Sequence, residues 1–196
     1  MRKVILGMAV SLDGFTEGPH REMNWLPPFE NEEIWKDIHE EMWNLLESVD
    51  IILLGRVTYQ IWEKYWPAAA KNPASTENDK KFSQYADNTQ KIVFSKTLTN
   101  VEWKNTRLIK NNIREEILKI KKQSGQNLAL AGGAKLAQTF INLDLIDEYI
   151  ITIHPVILGG GNSLLKNIQD IHKLTLTGVK RFKSGAVGLK YSKNGI

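Results

Sequence analysis

The stretch Leu128–Leu136, with the sequence LALAGGAKL, constrains the fold of this chain more than any other. Its first four residues form an unbroken apolar run, typical of a strand covered on both faces in a parallel sheet. The run ends at Gly132-Gly133, and from Ala134 onward apolar residues recur at helical spacing. A strand that turns on glycines into a helix presents free backbone N–H groups at the positive end of the helix dipole, which favours a phosphate. An ordinary tight turn explains a single glycine pair at least as well, so other strand ends of the same kind have to be found.

Strand and helix patterns alternate along the rest of the chain. Apolar runs predict strands at Lys3–Val10, Asp50–Leu54, Lys91–Ser95, Arg107–Lys110 and Glu148–Leu158, and a closing hairpin at Leu174–Phe182 and Ala186–Ser192. Helical spacing predicts helices at Glu32–Ser48 (with Asn31 as its N-cap), Gln60–Trp66, Asp79–Ala86 and Ile113–Gln123. Pro67–Asn78 reads as a mobile loop, and Pro155 places the end of its strand at a sheet edge or bulge.

Length and order of elements together predict one domain over residues 1–196. We expect an α/β fold: a three-layer α/β/α sandwich with a mixed, mostly parallel central sheet and a C-terminal antiparallel hairpin.

Composition narrows the function. No apolar run reaches membrane-spanning length, and the absence of cysteine excludes disulfides, thiolate metal sites and a cysteine nucleophile. No metal site is expected, since His39 has no second histidine at i+4. The net charge of +4 suits an anionic small ligand or a solvated surface equally. The sequence has no basic stripe interleaved with aromatic residues, which disfavours nucleic-acid binding. The absence of a Gly-x-Ser-x-Gly elbow disfavours a hydrolase. A cytoplasmic location is the default expectation.

Two further strand ends suit a phosphate. Gly55-Arg56-Val57-Thr58 combines a helix start with a guanidinium and a hydroxyl, and Ser95-Lys96 adds a hydroxyl and an ammonium. The helix dipole disfavours a cation at a helix start, so Arg56 points to a bound anion. Ligands of open α/β sheets lie beyond the carboxyl ends of the strands, where such turns gather. If Arg56 or Lys96 binds a second phosphate on the ribose, the cofactor is NADPH rather than NADH.

At this point the chain resembles a known family. The segments that carry the resemblance, in chain order, are SLDGF (Ser11–Phe15), LLGRVTYQIW (Leu53–Trp62), KIVFSKTL (Lys91–Leu98), LALAGGAKLAQTFI (Leu128–Ile141) and LIDEYIITIHPVILGGG (Leu145–Gly161). Together they resemble the dihydrofolate reductase-like superfamily, and more closely the reductase domain of bacterial bifunctional riboflavin-biosynthesis proteins and their stand-alone relatives. The resemblance spans almost the whole chain.

The resemblance implies a dihydrofolate reductase type of fold with NADPH across the carboxyl edge of the sheet. The implied cofactor contacts, from the phosphate groups to the nicotinamide, are Gly55, Arg56, Thr58, Ser95, Lys96, Gly132, Gly133, Ala134, Lys135, Val10 and Ser11. It also implies a substrate-facing Asp13 and a homodimer that uses Pro155–Gly161 and the C-terminal strands.

The implied activity is hydride transfer from NADPH to a C=N or C=O of a small heterocycle. The two substrate types are 5-amino-6-(5-phosphoribosylamino)uracil and a pterin, and the alternative is a nucleotide-binding relative without catalysis. Asp13 is a candidate anchor or proton donor, but a turn-forming aspartate before Gly14 fits equally. We expect Trp25 either to stack on the nicotinamide or the substrate, or to pack in the hydrophobic core. The cysteine-based zinc signature of the bifunctional proteins is absent, and near the Asp13 loop only His20 and Arg21 could hold a substrate phosphate.

Overall fold

The structure, a computed structural model, describes residues 1–26 and 32–193 and contains ten strands and five helices. The strands are β1 (Val4–Val10), β2 (Phe15–Glu17), β3 (Val49–Gly55), β4 (Gln90–Phe94), β5 (Thr106–Ile109), β6 (Asn127–Leu130), β7 (Glu148–Ile153), β8 (Asn162–Ser163), β9 (Leu174–Arg181) and β10 (Val187–Lys193). The helices are α1 (Glu32–Leu46), α2 (Arg56–Ala69), α3 (Glu77–Asn88), α4 (Ile113–Lys121) and α5 (Ala134–Asn142). Asn31, expected as the N-cap of α1, lies outside the described residues.

Eight strands form the central sheet in the order β5-β4-β3-β6-β1-β7-β10-β9. The first six are parallel, whereas β10 is antiparallel to both β7 and β9. The predicted mixed sheet with its C-terminal hairpin is therefore confirmed. Because six parallel strands end at one edge, their following turns meet there. A short antiparallel ribbon of β2 and β8 lies outside this sheet.

The core lies on both faces of the central strands, as their continuous apolar runs predict. On one face, side chains such as Leu53 and Leu130 pack with Ile117 of α4 and Phe140 of α5. On the other face the residues packed together include Leu46 of α1, Ile52, Leu54, Tyr59 of α2 and Phe82 of α3. Hydrophobic burial on both faces is what fixes the three layers.

The predicted mobile loop at Pro67–Asn78 is wrong in its bounds. Helix α2 begins at Arg56 and continues through Pro67, and Thr76 caps α3 by accepting from the main-chain N–H of Asp79. Only residues 70–76 connect the two helices. The reason is tertiary, since the Trp66 ring lies 4.4 Å from that of Phe82 and holds the end of α2 against α3.

The strand predicted at Glu148–Leu158 is also shorter, because β7 ends at Ile153. Pro155 therefore follows the strand and does not occupy an edge or bulge within it.

No helix of the described residues combines the length and apolarity that crossing a membrane requires. Residues 1–26 and 32–193 also hold no group of three or more His, Asp or Glu side chains arranged for a metal ion.

Candidate functional site

A cavity of about 390 Å³ opens at the carboxyl edge of the sheet. It spans the ends of β3, β4, β5 and β6 and the first turns of α2 and α5. The expected phosphate and ribose contacts all line it, namely Gly55, Arg56, Thr58, Ser95, Lys96, Gly132, Gly133, Ala134 and Lys135. The structure therefore brings these strand ends into one cleft, as the sequence predicts.

Two glycines let the neighbouring strand ends approach each other closely. A Cβ atom on Gly55 would lie 2.7 Å from the carbonyl oxygen of Gly132, and one on Gly132 would lie 2.8 Å from the nitrogen of Gly55. Both contacts involve main chain, which cannot move aside as a flexible side chain does. The next residue, Gly133, has φ 77° and ψ 165°, a region that is essentially restricted to glycine. All three positions need glycine for the backbone to take this path.

Three helices begin at this cavity, and two of them, α2 and α5, have no side-chain cap and no acidic residue in the first turn, whereas α4 has Glu115 and Glu116 there. The N-cap residues of α2 and α5 are Gly55 and Gly133. The first N–H groups of a helix lack partners within the helix and carry partial positive charge. Two such N-termini at one cavity favour an anionic ligand with more than one phosphate.

Side-chain charge in the cavity has the same sign. Its cationic lining residues are Arg21, Arg56, Lys96, Lys110 and Lys135. Within the described residues none of these has an ion-pair partner. The only carboxylate that lines the described part of the cavity is Glu17, which accepts a hydrogen bond from the Asn162 side chain. The cavity thus has an excess of cations available to a ligand.

The wall opposite the helices comes from the β2–β8 ribbon, which sequence reasoning missed. Thr16 and Asn162 line the cavity, and the Thr16 hydroxyl donates to the Asn162 carbonyl over 3.1 Å. Arg21, which follows β2, also lines the cavity. Lys110, the last residue of the strand predicted at Arg107–Lys110, is a further lining residue that the sequence analysis did not single out.

Val10, Ser11 and Asp13 lie beside the cavity and not in its lining. Val10 and Ser11 are buried at the end of β1. The Asp13 carboxylate accepts hydrogen bonds from the Ser11 hydroxyl (2.7 Å) and from the main-chain N–H groups of Leu158 (3.1 Å) and Gly159 (2.8 Å). The Ser11 hydrogen bond, helped by the two amides, lowers the pKa of Asp13. The carboxylate is therefore an ionised acceptor that joins the turn after β1 to the segment after β7.

A second cluster, which we call the aromatic corner, consists of Trp25, Trp35 and His154. His154 follows β7 directly, and its main-chain N–H donates to the carbonyl of Val10, so the corner lies at the end of β1. The centroid of the His154 ring is 5.6 Å from that of Trp25 and 6.1 Å from that of Trp35. His154 is 2% exposed, and burial lowers the pKa of its imidazole, which is therefore neutral at pH 7. Trp25 is only half-buried and is not a core plug.

The chain belongs to the family of RibD C-terminal domains, because the model of that family matches residues 2–187. It is 36% identical over 194 residues to the uncharacterized protein YyaP of Bacillus subtilis, covering 99% of this chain and 96% of YyaP. It is 32% identical over 192 residues to the uncharacterized YwjB of the same organism, with 97% of each chain covered.

Solved structures show the same fold. A putative riboflavin biosynthesis protein from Shewanella sp. PV-4 has a TM-score of 0.72 at 21% identity, with both chains fully covered. A diaminohydroxyphosphoribosylaminopyrimidine deaminase/5-amino-6-(5-phosphoribosylamino)uracil reductase from Thermotoga maritima has a TM-score of 0.65 at 16% identity. That match covers 98% of this chain and 57% of the Thermotoga chain. The fold and family predicted from the sequence are thereby confirmed.

Proposed function

We propose that this protein is an NADPH-dependent reductase that transfers hydride to a C=N or C=O of a small heterocyclic substrate. The observation that carries the proposal is the single cavity in which Gly55, Gly132 and two uncapped helix starts meet five cations. A dinucleotide has the length and the negative charge to occupy several strand ends at once. Membership in the RibD C-terminal domain family supports the same activity.

The start of α5 fits a pyrophosphate. Gly132 has no side chain to keep a phosphate away from the backbone, and the N–H groups after it begin the helix. Arg56 and Thr58 approach from the first turn of α2, and the Arg56 guanidinium is held by a 3.0 Å hydrogen bond to Gln60. A guanidinium binds phosphate oxygens in a paired geometry, so Arg56 would orient the pyrophosphate as well as attract it.

Lys96 and Lys110 fit the additional phosphate that distinguishes NADPH from NADH. The two residues follow adjacent strands, whose ends are joined by the hydrogen bond from Ser95 N–H to the Ile109 carbonyl. Both ammonium groups line the cavity, and neither has an ion pair within the described residues. Two free cations at neighbouring strand ends would neutralise a ribose phosphate better than one.

The reacting end of the cofactor belongs at β1 on this proposal. β1 lies between β6 and β7, so Val10 and Ser11 would border the nicotinamide, while Trp25 would lie on the substrate side. When bound, NADPH supplies the hydride. The residues of the chain align the two rings and exclude water. Asp13 remains the proposed substrate-side carboxylate, as an acceptor for a substrate N–H, since its lowered pKa leaves it without a proton to donate at pH 7.

Substrate candidates come from the relatives. The Thermotoga protein is a 5-amino-6-(5-phosphoribosylamino)uracil reductase, and a pterin is the alternative from the wider superfamily. A nucleotide-binding protein without catalysis is the second candidate function, and the engagement of Asp13 by three protein donors favours it. Turnover separates the two functions: in a reductase, Asp13→Asn should lower turnover with little change in NADPH affinity, whereas a binding module has no turnover to lose.

The direct test is titration with NADPH followed by nicotinamide fluorescence. Lys110→Ala should weaken NADPH binding about tenfold, as expected for the loss of one charged contact, and should leave NADH binding unchanged. Lys119→Ala, on the surface of α4, is the matched control. A folded protein that shows no binding at millimolar NADPH would refute the proposed function.

We also propose a cytoplasmic homodimer. The sheet face of β7, β10 and β9 carries an apolar set that α5 covers only in part: Ile151, Ile153, Val187, Leu189, Tyr191, Leu176 and Val179. Leu176 is 50% exposed and Val179 62% exposed. A continuous apolar face of this kind on a soluble chain marks an interaction surface. A second copy offers the same face, which is apolar except for Arg181 beside Val187, and this supports packing of the two sheets against each other.

A further inference from the structure

We propose that the aromatic corner of Trp25, Trp35 and His154 binds the planar ring of the substrate, and that this substrate carries no phosphate. The inference rests on the proposed function, which places the reacting end of the cofactor at β1. It concerns the other half of the same edge, beyond the dinucleotide cavity.

The corner has the right position. The cavity ends at β6, and the next two strands in the sheet are β1 and β7. Neighbouring strands are about 4.8 Å apart, so the end of β7 lies roughly 10 Å from the end of β6. His154 follows β7 and is hydrogen-bonded through its backbone to Val10. A nicotinamide at β1 would therefore have the dinucleotide cavity on one side and the aromatic corner on the other.

Two buried polar atoms in the corner have no hydrogen-bond partner among residues 1–26 and 32–193. These are Nδ1 of His154 and Nε1 of Trp25. A buried polar atom without a partner costs about 1–3 kcal/mol, and such atoms are rare in folded proteins unless a ligand or water satisfies them. The indole N–H is only a donor, while Nδ1 of a neutral imidazole accepts when the proton is on Nε2. A ring with a carbonyl beside an N–H, as in a cyclic amide, would satisfy both.

The charge around the corner disfavours a phosphate. The described part of the segment from Glu22 to Glu41, which includes Trp25 and Trp35, has one lysine, Lys36, against the carboxylic residues Glu22, Glu33, Asp37, Glu40 and Glu41. The nearby hairpin lysines are already paired, Lys180 with Glu41 at 3.0 Å and Lys183 with Glu33 at 3.9 Å. Arg21, one of the two residues that the sequence offered with His20 for a substrate phosphate, lines the dinucleotide cavity. The two halves of the edge thus have opposite charge, and a neutral or cationic ring suits the second half.

The test uses ring probes on the protein saturated with NADP⁺, so that binding is measured without turnover. Isothermal titration calorimetry at pH 7 gives the affinity for lumazine, an uncharged pteridinedione, and for the matched pair uridine and uridine 5′-monophosphate. We expect lumazine to bind, and uridine to bind at least as tightly as its monophosphate. Tighter binding of the monophosphate, or no binding of lumazine and uridine at millimolar concentration, would overturn the inference.

Variants then locate the probe. His154→Gln and Trp25→Phe should each weaken lumazine binding about tenfold, the loss expected for one buried hydrogen bond, with NADP⁺ affinity within about twofold of wild type. His172→Gln, remote from this edge beside Asp144, is the matched control and should change neither affinity. If His154→Gln does not fold, the half-buried Trp25→Phe decides. If Trp25→Phe binds NADP⁺ and binds lumazine as tightly as wild type does, only this inference is refuted. If the wild-type protein does not bind NADP⁺, the proposed function is refuted.

Discussion

Replacing Gly133 by alanine isolates the backbone conformation at the centre of the cavity. At φ 77° and ψ 165°, an alanine would be strained by about 1–3 kcal/mol. The strain is conformational, because the added Cβ would meet only the Thr58 hydroxyl at 3.4 Å, an ordinary contact. For a chain of this length each kcal/mol lowers the melting temperature by about 2–4 °C, so Gly133→Ala should melt about 2–12 °C below wild type.

The same melting measurement with NADPH added reports how much the bound cofactor stabilises the folded state. NADPH at one hundred times its dissociation constant should stabilise wild type by about 2.7 kcal/mol. If the backbone of Gly133→Ala rotates to relieve its strain, the N–H groups at the start of α5 are redirected, and this stabilisation should be lost. Gly178→Ala is the control, because its Cβ would meet Lys190 no closer than 3.7 Å. Wild-type melting of Gly133→Ala together with wild-type stabilisation by NADPH would refute the reasoning.

Two further predictions concern a buried charge and the exposed sheet face. Burial lowers the pKa of Lys91 from 10.5 to about 8, so between these values the unfolded chain binds the extra proton and the free energy of unfolding should rise with pH by up to about 3 kcal/mol. Urea unfolding between these pH values measures the rise in the free energy of unfolding. Lys91→Met should remove the rise, and the surface control Lys119→Met should retain it. An equal rise in both variants contradicts the assignment of the rise to Lys91. Val179→Lys should convert the dimer to a monomer in light scattering after size-exclusion chromatography, while Ile61→Lys, on the exposed face of α2, should stay dimeric; a monomeric wild type, or a dimeric Val179→Lys, contradicts the proposed interface.

The strand-end half of the site was predictable because its signals are local. A strand, a glycine and a helix start follow one another within a few residues at Gly55 and at Gly132, and parallel strands necessarily end at one edge. The close approach of Gly55 to Gly132 needed only the additional fact that β3 and β6 are neighbours. Charge completed the picture, since Arg56 and Lys96 come directly after strand ends.

The opposite wall could not be predicted, because its contacts join distant parts of the chain. Thr16 and Asn162 are 146 residues apart, and the two-residue strand β8 is too short to show an alternating pattern. Arg21 has φ 64°, which is uncommon for arginine and has no signature in the sequence. Its side chain reaches the cavity only because the ribbon of β2 and β8 forms.

Helix α2 packs against the sheet through its aromatic side chains. Its aliphatic residues Val57 and Ile61 are exposed, whereas Tyr59, Trp62 and Trp66 pack inward. The sequence predicts the helical pattern only over Gln60–Trp66, whereas the helix extends from Arg56 to Ala69. The aromatic side chains decide the orientation, since each buries more apolar surface than a valine or an isoleucine.

The sheet order gives a reason for the division of this edge into two kinds of site. On the β3–β6 side of β1, three of the four strands, β3, β5 and β6, lead into a helix that begins at the edge, so positive potential accumulates there. On the other side, β7 leads into an irregular segment and β10 runs the opposite way, and α1, whose first turn contributes Trp35 to the aromatic corner, carries Glu33 in that turn. Side-chain charge reinforces the difference, with free cations on the first side and paired lysines beside carboxylates on the second. A ligand that spans β1 therefore has its phosphates on one side only, and a ring on the far side is selected by stacking and hydrogen bonds instead of by charge.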